Sequence, residues 1–278
     1  MLKVKKENLC LNAYNNISEL YNFLKKTPRR KGASDSSEDN DNSFRGTRTL
    51  EEAYDLMLTG DEKLYKDFKS LKDIEIDKLL GNTISKKTYK DDVVGFQPNV
   101  PKYLLGIPTN MINEIPTKLS QKVVNIVLCM SVSAFTDSST IKRIGMKYTQ
   151  IIDVLEKSGY RCNLYICHAG EYQDEKNICL VKIKTDKEPF NLKKCVFPIA
   201  HPAMFRRIMF KWMETCDVDK ELTDFSYGHV IDNKKVLKTI IGDTLKTNII
   251  LWNFQNNEPT VKDIIENLEK DGIKIGGE

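Results

Sequence analysis

Residues 123–134 read VVNIVLCMSVSA, and this run constrains the fold more than any other stretch. A strand with one wet face alternates apolar and polar side chains. This run is apolar almost throughout, as a strand covered on both faces is, so it belongs inside a sheet between other layers. Apolar residues at Ile141, Ile144, Tyr148, Ile151, Ile152 and Leu155 follow at helical spacing, and Gly159 stands where that helix would close. Second and third strands are predicted over 160–167 and 178–184. The loop between them is too short for a crossover helix, which makes them an antiparallel hairpin. Helices are expected at 202–215 and 233–241, a fourth strand at 248–254, a helix from a Thr260 cap through Lys270, and the start of a last strand at 273–275. That order of elements defines an α/β fold: a mostly parallel sheet with one antiparallel edge.

The first 119 residues read differently. Leu9, Ala13, Ile17, Leu20 and Leu24 are spaced for a helix, ended by Thr27-Pro28. Residues 31–43 hold no large apolar side chain and read as a flexible linker. Thr49 and Glu52 have capping-box spacing ahead of Leu50, Ala53, Tyr54, Met57 and Leu58, and Gly60 stands at the C-terminal stop. A second short helix is expected over 63–80. Four prolines in 94–116 predict an extended connector. The expected organisation is an N-terminal helix (1–30), a linker (31–43), a helical subdomain with its proline-rich connector (44–119) and an α/β domain (120–278).

Composition excludes more than it selects. A hydrophobic fraction of 40% and a charged fraction of 29% are ordinary for a globular chain, and a net charge of +4 permits contact with nucleic acid without arguing for it. No apolar run reaches the ~18 residues of a membrane span. The first residues lack the apolar core of a signal peptide, so no membrane and a cytoplasmic location are expected. Seven cysteines, most of them in or beside apolar runs, read as buried thiols in a reducing compartment. Neither a Walker A sequence nor Gly-x-Gly-x-x-Gly is present, so no nucleotide cofactor is expected.

Several side chains could carry chemistry. His168, beside Cys167, could be a metal ligand or a general base, or a residue packed at the sheet's edge; His201 and His229 could join it in space. No Cys-x-x-Cys or His-x-x-x-His spacing supports zinc. Ser131 and Ser133 lack a Gly-x-Ser-x-Gly elbow. Glu171, Asp174 and Glu175 could gather a nuclease metal or form a solvated turn. In 201–212, Phe205, Ile208, Met209 and Trp212 form a core face, leaving Arg206, Arg207 and Lys211 as a surface basic patch. That patch is either a contact for an anion or nucleic-acid backbone or an ordinary charged helix side.

The α/β segment resembles the von Willebrand factor A fold, a Rossmann-like architecture, over about 150 residues. That family's first strand ends in Asp-x-Ser-x-Ser; here it ends Cys129-Met130-Ser131-Val132-Ser133. Asn253 stands at the aspartate that ends the family's fourth strand, and Ser226-Tyr227-Gly228-His229 is the nearest counterpart of its threonine loop. A hard cation wants carboxylate oxygens, and this set offers none, so no metal is expected. The resemblance implies that the crest of Cys129, Ser131, Ser133 and Asn253 binds a protein partner, with an AAA-type ATPase as the candidate by fold analogy. Residues FRGTRTLEEAYDLMLTGD and NVPKYLLGIPTNMIN also resemble an uncharacterised family of bacteriophages and mobile elements. The expectation is a non-enzymatic phage adaptor protein in the cytoplasm of a bacterial host. Its rivals are a nucleic-acid-associated accessory protein, a metal-dependent nuclease-like enzyme and a virion component.

Overall fold

The computed structural model describes residues 1–6, 8–30, 33, 35–70, 88–115, 122–133, 135–172, 174–216, 229–231, 233–253 and 260–273. A six-stranded, mostly parallel sheet organises them. It is built from β1 (Leu2–Lys6), β2 (Leu9–Tyr14), β6 (Val123–Cys129), β7 (Arg161–Tyr172), β8 (Glu175–Lys184) and β9 (Ile250–Asn253), in the order β1-β2-β8-β7-β6-β9. β6 is parallel to both β7 and β9, and β7 and β8 form the expected antiparallel hairpin. Side chains on β6 alternate between two cores. Ile126 and Leu128 pack on one face, Val127 and Cys129 on the other.

The first face carries most helices: α1 (Ile17–Lys26), α3 (Leu50–Thr59), α6 (Ser138–Lys157), α7 (Leu192–Ala200), α8 (Met209–Thr215) and α10 (Val261–Lys270). The second face is covered by α9 (Lys234–Leu245), which buries Leu237 and Ile241. Two further short helices, α2 (Asn42–Arg45) and α4 (Glu62–Ser70), flank α3. Thr49 caps α3 by accepting the Glu52 N–H, whereas the Glu52 carboxylate reaches the N–H of Arg48. Thr260 and Asp263 form a full reciprocal box on α10.

Three expectations are corrected. Residues 9–14 are a strand, not the first half of a helix, and β2 pairs parallel with β8. The hairpin therefore does not end the sheet, because β2 and β1 lie outside it. Leu9 and Ala13 fit helical spacing, but the alternation through Leu11 fits a strand equally, and the long-range pairing decides. Second, residues 94–115 are not merely extended. β3 (Thr88–Asp92), β4 (Gln97–Pro98) and β5 (Met111–Ile115) make a small sheet of order β3-β5-β4, with a short helix α5 (Val100–Leu104) between β4 and β5. Third, the helix predicted over 202–215 begins as a wide π-turn at Met204–Ile208, and α7 precedes it unforeseen, with Pro198 inside. Residues 71–80 of the second predicted helix and 274–275 of the last strand lie outside the described residues.

α6 and α7 pack unusually close at Gly145. A Cβ there would stand 2.4 Å from Ala200 Cα and 2.6 Å from the Ile199 carbonyl oxygen, both backbone atoms. Gly145→Ala should destabilise the fold by about 2 kcal/mol, even though alanine gains up to about 1 kcal/mol of helix propensity. A lowered urea midpoint checks this; an unchanged or raised one would show that the two helices separate freely.

Candidate functional site

The parallel strands β6 and β9 end together on one edge of the sheet, beside β7, where ligands of open α/β sheets usually sit. Cys129 lies in register with Cys167 on one side and Asn253 on the other. Beyond Cys129 the chain turns inward. Ser131 Oγ accepts the Ala169 N–H at 2.6 Å and lies 3.5 Å from His168 Nδ1. His168 Nε2 lies 3.2 Å from Met213 Sδ, and the ring meets the Trp212 indole edge-on. A thioether sulfur can only accept, so a hydrogen bond there uses a proton on Nε2 and leaves Nδ1 to accept from the Ser131 hydroxyl.

This Ser–His pair has the wrong setting for catalysis. Ser131 is 2% exposed and His168 6%. Burial pushes the His168 pKa down to about 4, so the ring is neutral at physiological pH. The contacts clip the end of β6 to β7. Cys129 is equally enclosed: a hydrogen bond with Cys167 draws its pKa down, while burial drives that of Cys167 well up. The sequence expectation that Cys129 and Ser131 meet a partner is thus corrected, since both face the core. Ser133 is half-buried, and its Oγ accepts the Phe135 N–H at 3.4 Å. The Asn253 side chain and residues 226–228 lie outside the described residues.

The other two histidines have settings of their own. His201 stacks on Phe197, accepts the Ala203 N–H on Nδ1 at 3.0 Å, and places Nε2 3.7 Å from Asp61. Burial takes its pKa down to about 4 against the opposing pull of Asp61. His229 is exposed, and its carbonyl oxygen accepts the Glu171 N–H. In the acidic hairpin, Glu171 pairs with Lys176 at 2.8 Å, Asp174 takes a left-handed turn conformation and Glu175 is buried. Among the described residues, no three of His, Cys, Asp and Glu gather as a metal site.

The basic patch is the largest correction. Arg206 and Arg207 are buried, not on the surface. Arg207 uses all five of its N–H donors: Nε to Thr47 Oγ1 (2.8 Å), Nη1 to the carbonyls of Ser37 (2.9 Å) and Asp39 (3.1 Å), and Nη2 to those of Thr47 (2.7 Å) and Arg48 (3.0 Å). Arg206 reaches the carbonyls of Phe44 and Thr136 and stacks over the Phe44 ring. Lys211 pairs with Glu38. Glu214, fully buried, accepts Ser37 N–H, Ser37 Oγ–H and Arg29 Nε–H. Arg29 also pairs with Asp35 and Glu38. The acidic, serine-rich segment expected to be a free linker is therefore fastened down through its described residues. Sequence reasoning missed Glu214, Ser37 and Arg45, the last of which donates to the Arg206 carbonyl and pairs with Asp39. The available signal was two adjacent arginines flanked on both sides by large apolar residues, together with an early segment rich in carboxylates and turn-forming residues.

The fold and this edge together define a mixed α/β protein whose polar strand-end groups are turned inward. The chain belongs to the DUF7192 family, a domain of unknown function whose family model matches residues 3–275. No curated protein and no solved structure matches it. No described helix is long and apolar enough to cross a membrane.

Two outcomes follow from this geometry. Arg207→Met should cost about 3–5 kcal/mol, because it strands five acceptors, three of them in buried bonds, and should open 35–49 to trypsin at Arg45 or Arg48. Denaturation together with a timed digest measures both, and wild-type resistance would refute the role given to Arg207. His168 and His201 have folded pKa values below the unfolded ~6.5, so the unfolded state binds more protons as pH falls below 6.5, and stability declines toward pH 4. From pH 7 to 5 the loss should be about 2 kcal/mol per histidine. His168→Asn should remove about half of that pH dependence, as read by urea unfolding at the two pH values.

Proposed function

We propose that this is a non-enzymatic binding protein that recognises another protein through the loop following β6. One observation carries the reading: Phe135, in that loop, is 98% exposed while the groups around it are anchored. Thr136 N–H bonds the Ser133 carbonyl at 3.0 Å, and the Thr136 carbonyl accepts from Arg206. Asp137 caps α6 through the Thr140 N–H at 2.9 Å. An aromatic ring held out on a braced loop has little freedom left to lose on binding, which suits an interface anchor.

The hairpin, the central β6 with its two trailing serines, and β9 beside it agree with a von Willebrand factor A-like plan lacking metal carboxylates. A phage setting and an AAA-type ATPase partner rest on sequence resemblance and fold analogy, and they belong to the proposal on that footing. The nucleic-acid reading loses its support with Arg206 and Arg207 buried.

Pull-down of the tagged protein from its native cells, against a Phe135→Asp/Ser133→Ala variant, tests the reading. A specific partner should fall at least about tenfold in the variant, as loss of an anchoring aromatic does, with circular dichroism unchanged. An identical partner list for the two proteins would remove this loop as the recognition surface.

A further inference from the structure

The small sheet formed by β3, β4 and β5 has a physical deficit. Between Tyr89 and Met111, and on to Asn113, no side chain is buried. Its strands pack chiefly on one another. A three-stranded sheet persists when one face is covered by apolar contacts. This sheet and its helix instead present Tyr89, Val94, Phe96, Tyr103, Leu104 and Leu105, each at least half exposed and Leu104 at 77%. The Tyr89 and Phe96 rings already meet, at 5.9 Å between centroids. So many exposed large apolar side chains on one small sheet and its helix mark an interaction surface.

We propose that this sheet is a self-association surface, covered in solution by the same sheet of a second copy of the chain. The inference is independent of the reading of the Phe135 loop. Two features favour a second copy over a different protein. In a two-fold interface a patch meets itself, so unbalanced charge on it would repel. Here Lys102 pairs with Asp91 at 2.6 Å and Lys90 with Asp92 at 2.7 Å, so the charges around the apolar residues are neutralised within one copy. Size is the second feature. Taking about 150–250 Å² for a fully exposed residue of this kind, the six side chains offer on the order of 800 Å², the area that each partner of a standard interface buries.

Sedimentation equilibrium of the full chain over about 1–100 µM, the range in which an interface of modest affinity assembles, tests this directly. The expected result is a reversible monomer–dimer equilibrium in which hydrogen exchange of residues 89–113 slows as concentration rises. Phe96→Ser/Leu104→Ser/Leu105→Ser should sediment as a monomer with unchanged circular dichroism. Tyr103→Glu, which sets like charges against each other across the two-fold axis, should weaken the dimer at least about tenfold. A wild-type chain monomeric throughout the range would overturn the proposal. So would a dimer that survives these substitutions, or one whose exchange protection lies elsewhere.

Discussion

The guanidinium of Arg207 is a cation inside a protein interior, and that arrangement is costly unless its hydration is replaced in full. Here four backbone carbonyls and one hydroxyl replace it. No carboxylate is among those five acceptors, so the charge is solvated by dipoles rather than cancelled. Those acceptors come from residues 37–48, a stretch with few large apolar side chains of its own. The segment is thus ordered by polar contacts to the π-turn and α8, with Glu214 serving Ser37 and Arg29 from the other side. Arg206 extends the arrangement to the loop after β6 through the Thr136 carbonyl. The same neighbourhood therefore seats the chain's early segment and braces the loop that presents Phe135.

Much of the sheet was legible in the sequence because its signals are local. The run at 123–129 has no polar face, the hairpin follows from a short connection, and Thr49, Thr260 and Gly159 mark helix ends by their own backbone chemistry. β2 was not legible. Six residues, LCLNAY, satisfy both a helical and a strand period, and their partner β8 lies more than 160 residues away. The π-turn was hidden for a related reason. Inserting a residue into a helix shifts its faces, so a wheel drawn at constant pitch places Arg207 on the surface when it points inward.

The edge of the sheet teaches a narrower lesson. Residue types at Cys129, Ser131 and His168 were suggestive, and their register on neighbouring strands did bring them together. Sequence could not show that Ser131 would spend its oxygen on the Ala169 amide, or that the histidine would face a methionine sulfur. Burial, which spacing does not report, turned reactive residue types into packing. Phe135 carried the opposite message: an isolated aromatic between Ala134 and Thr136 gives no sign of whether it points in or out.

The parallel pairing of β2 with β8 also sets a schedule for making the protein. Leu9 pairs early with Lys6 of β1, but its parallel partner Lys176 is synthesised far later. At about 5–20 residues per second the β1–β2 hairpin waits on the order of ten seconds for the strand that joins it to the sheet. The early segment cannot settle sooner either, because Arg207 emerges later still. A nascent chain of this protein is therefore committed to finishing its sheet from the inside outward, and its first residues are among the last to find their place.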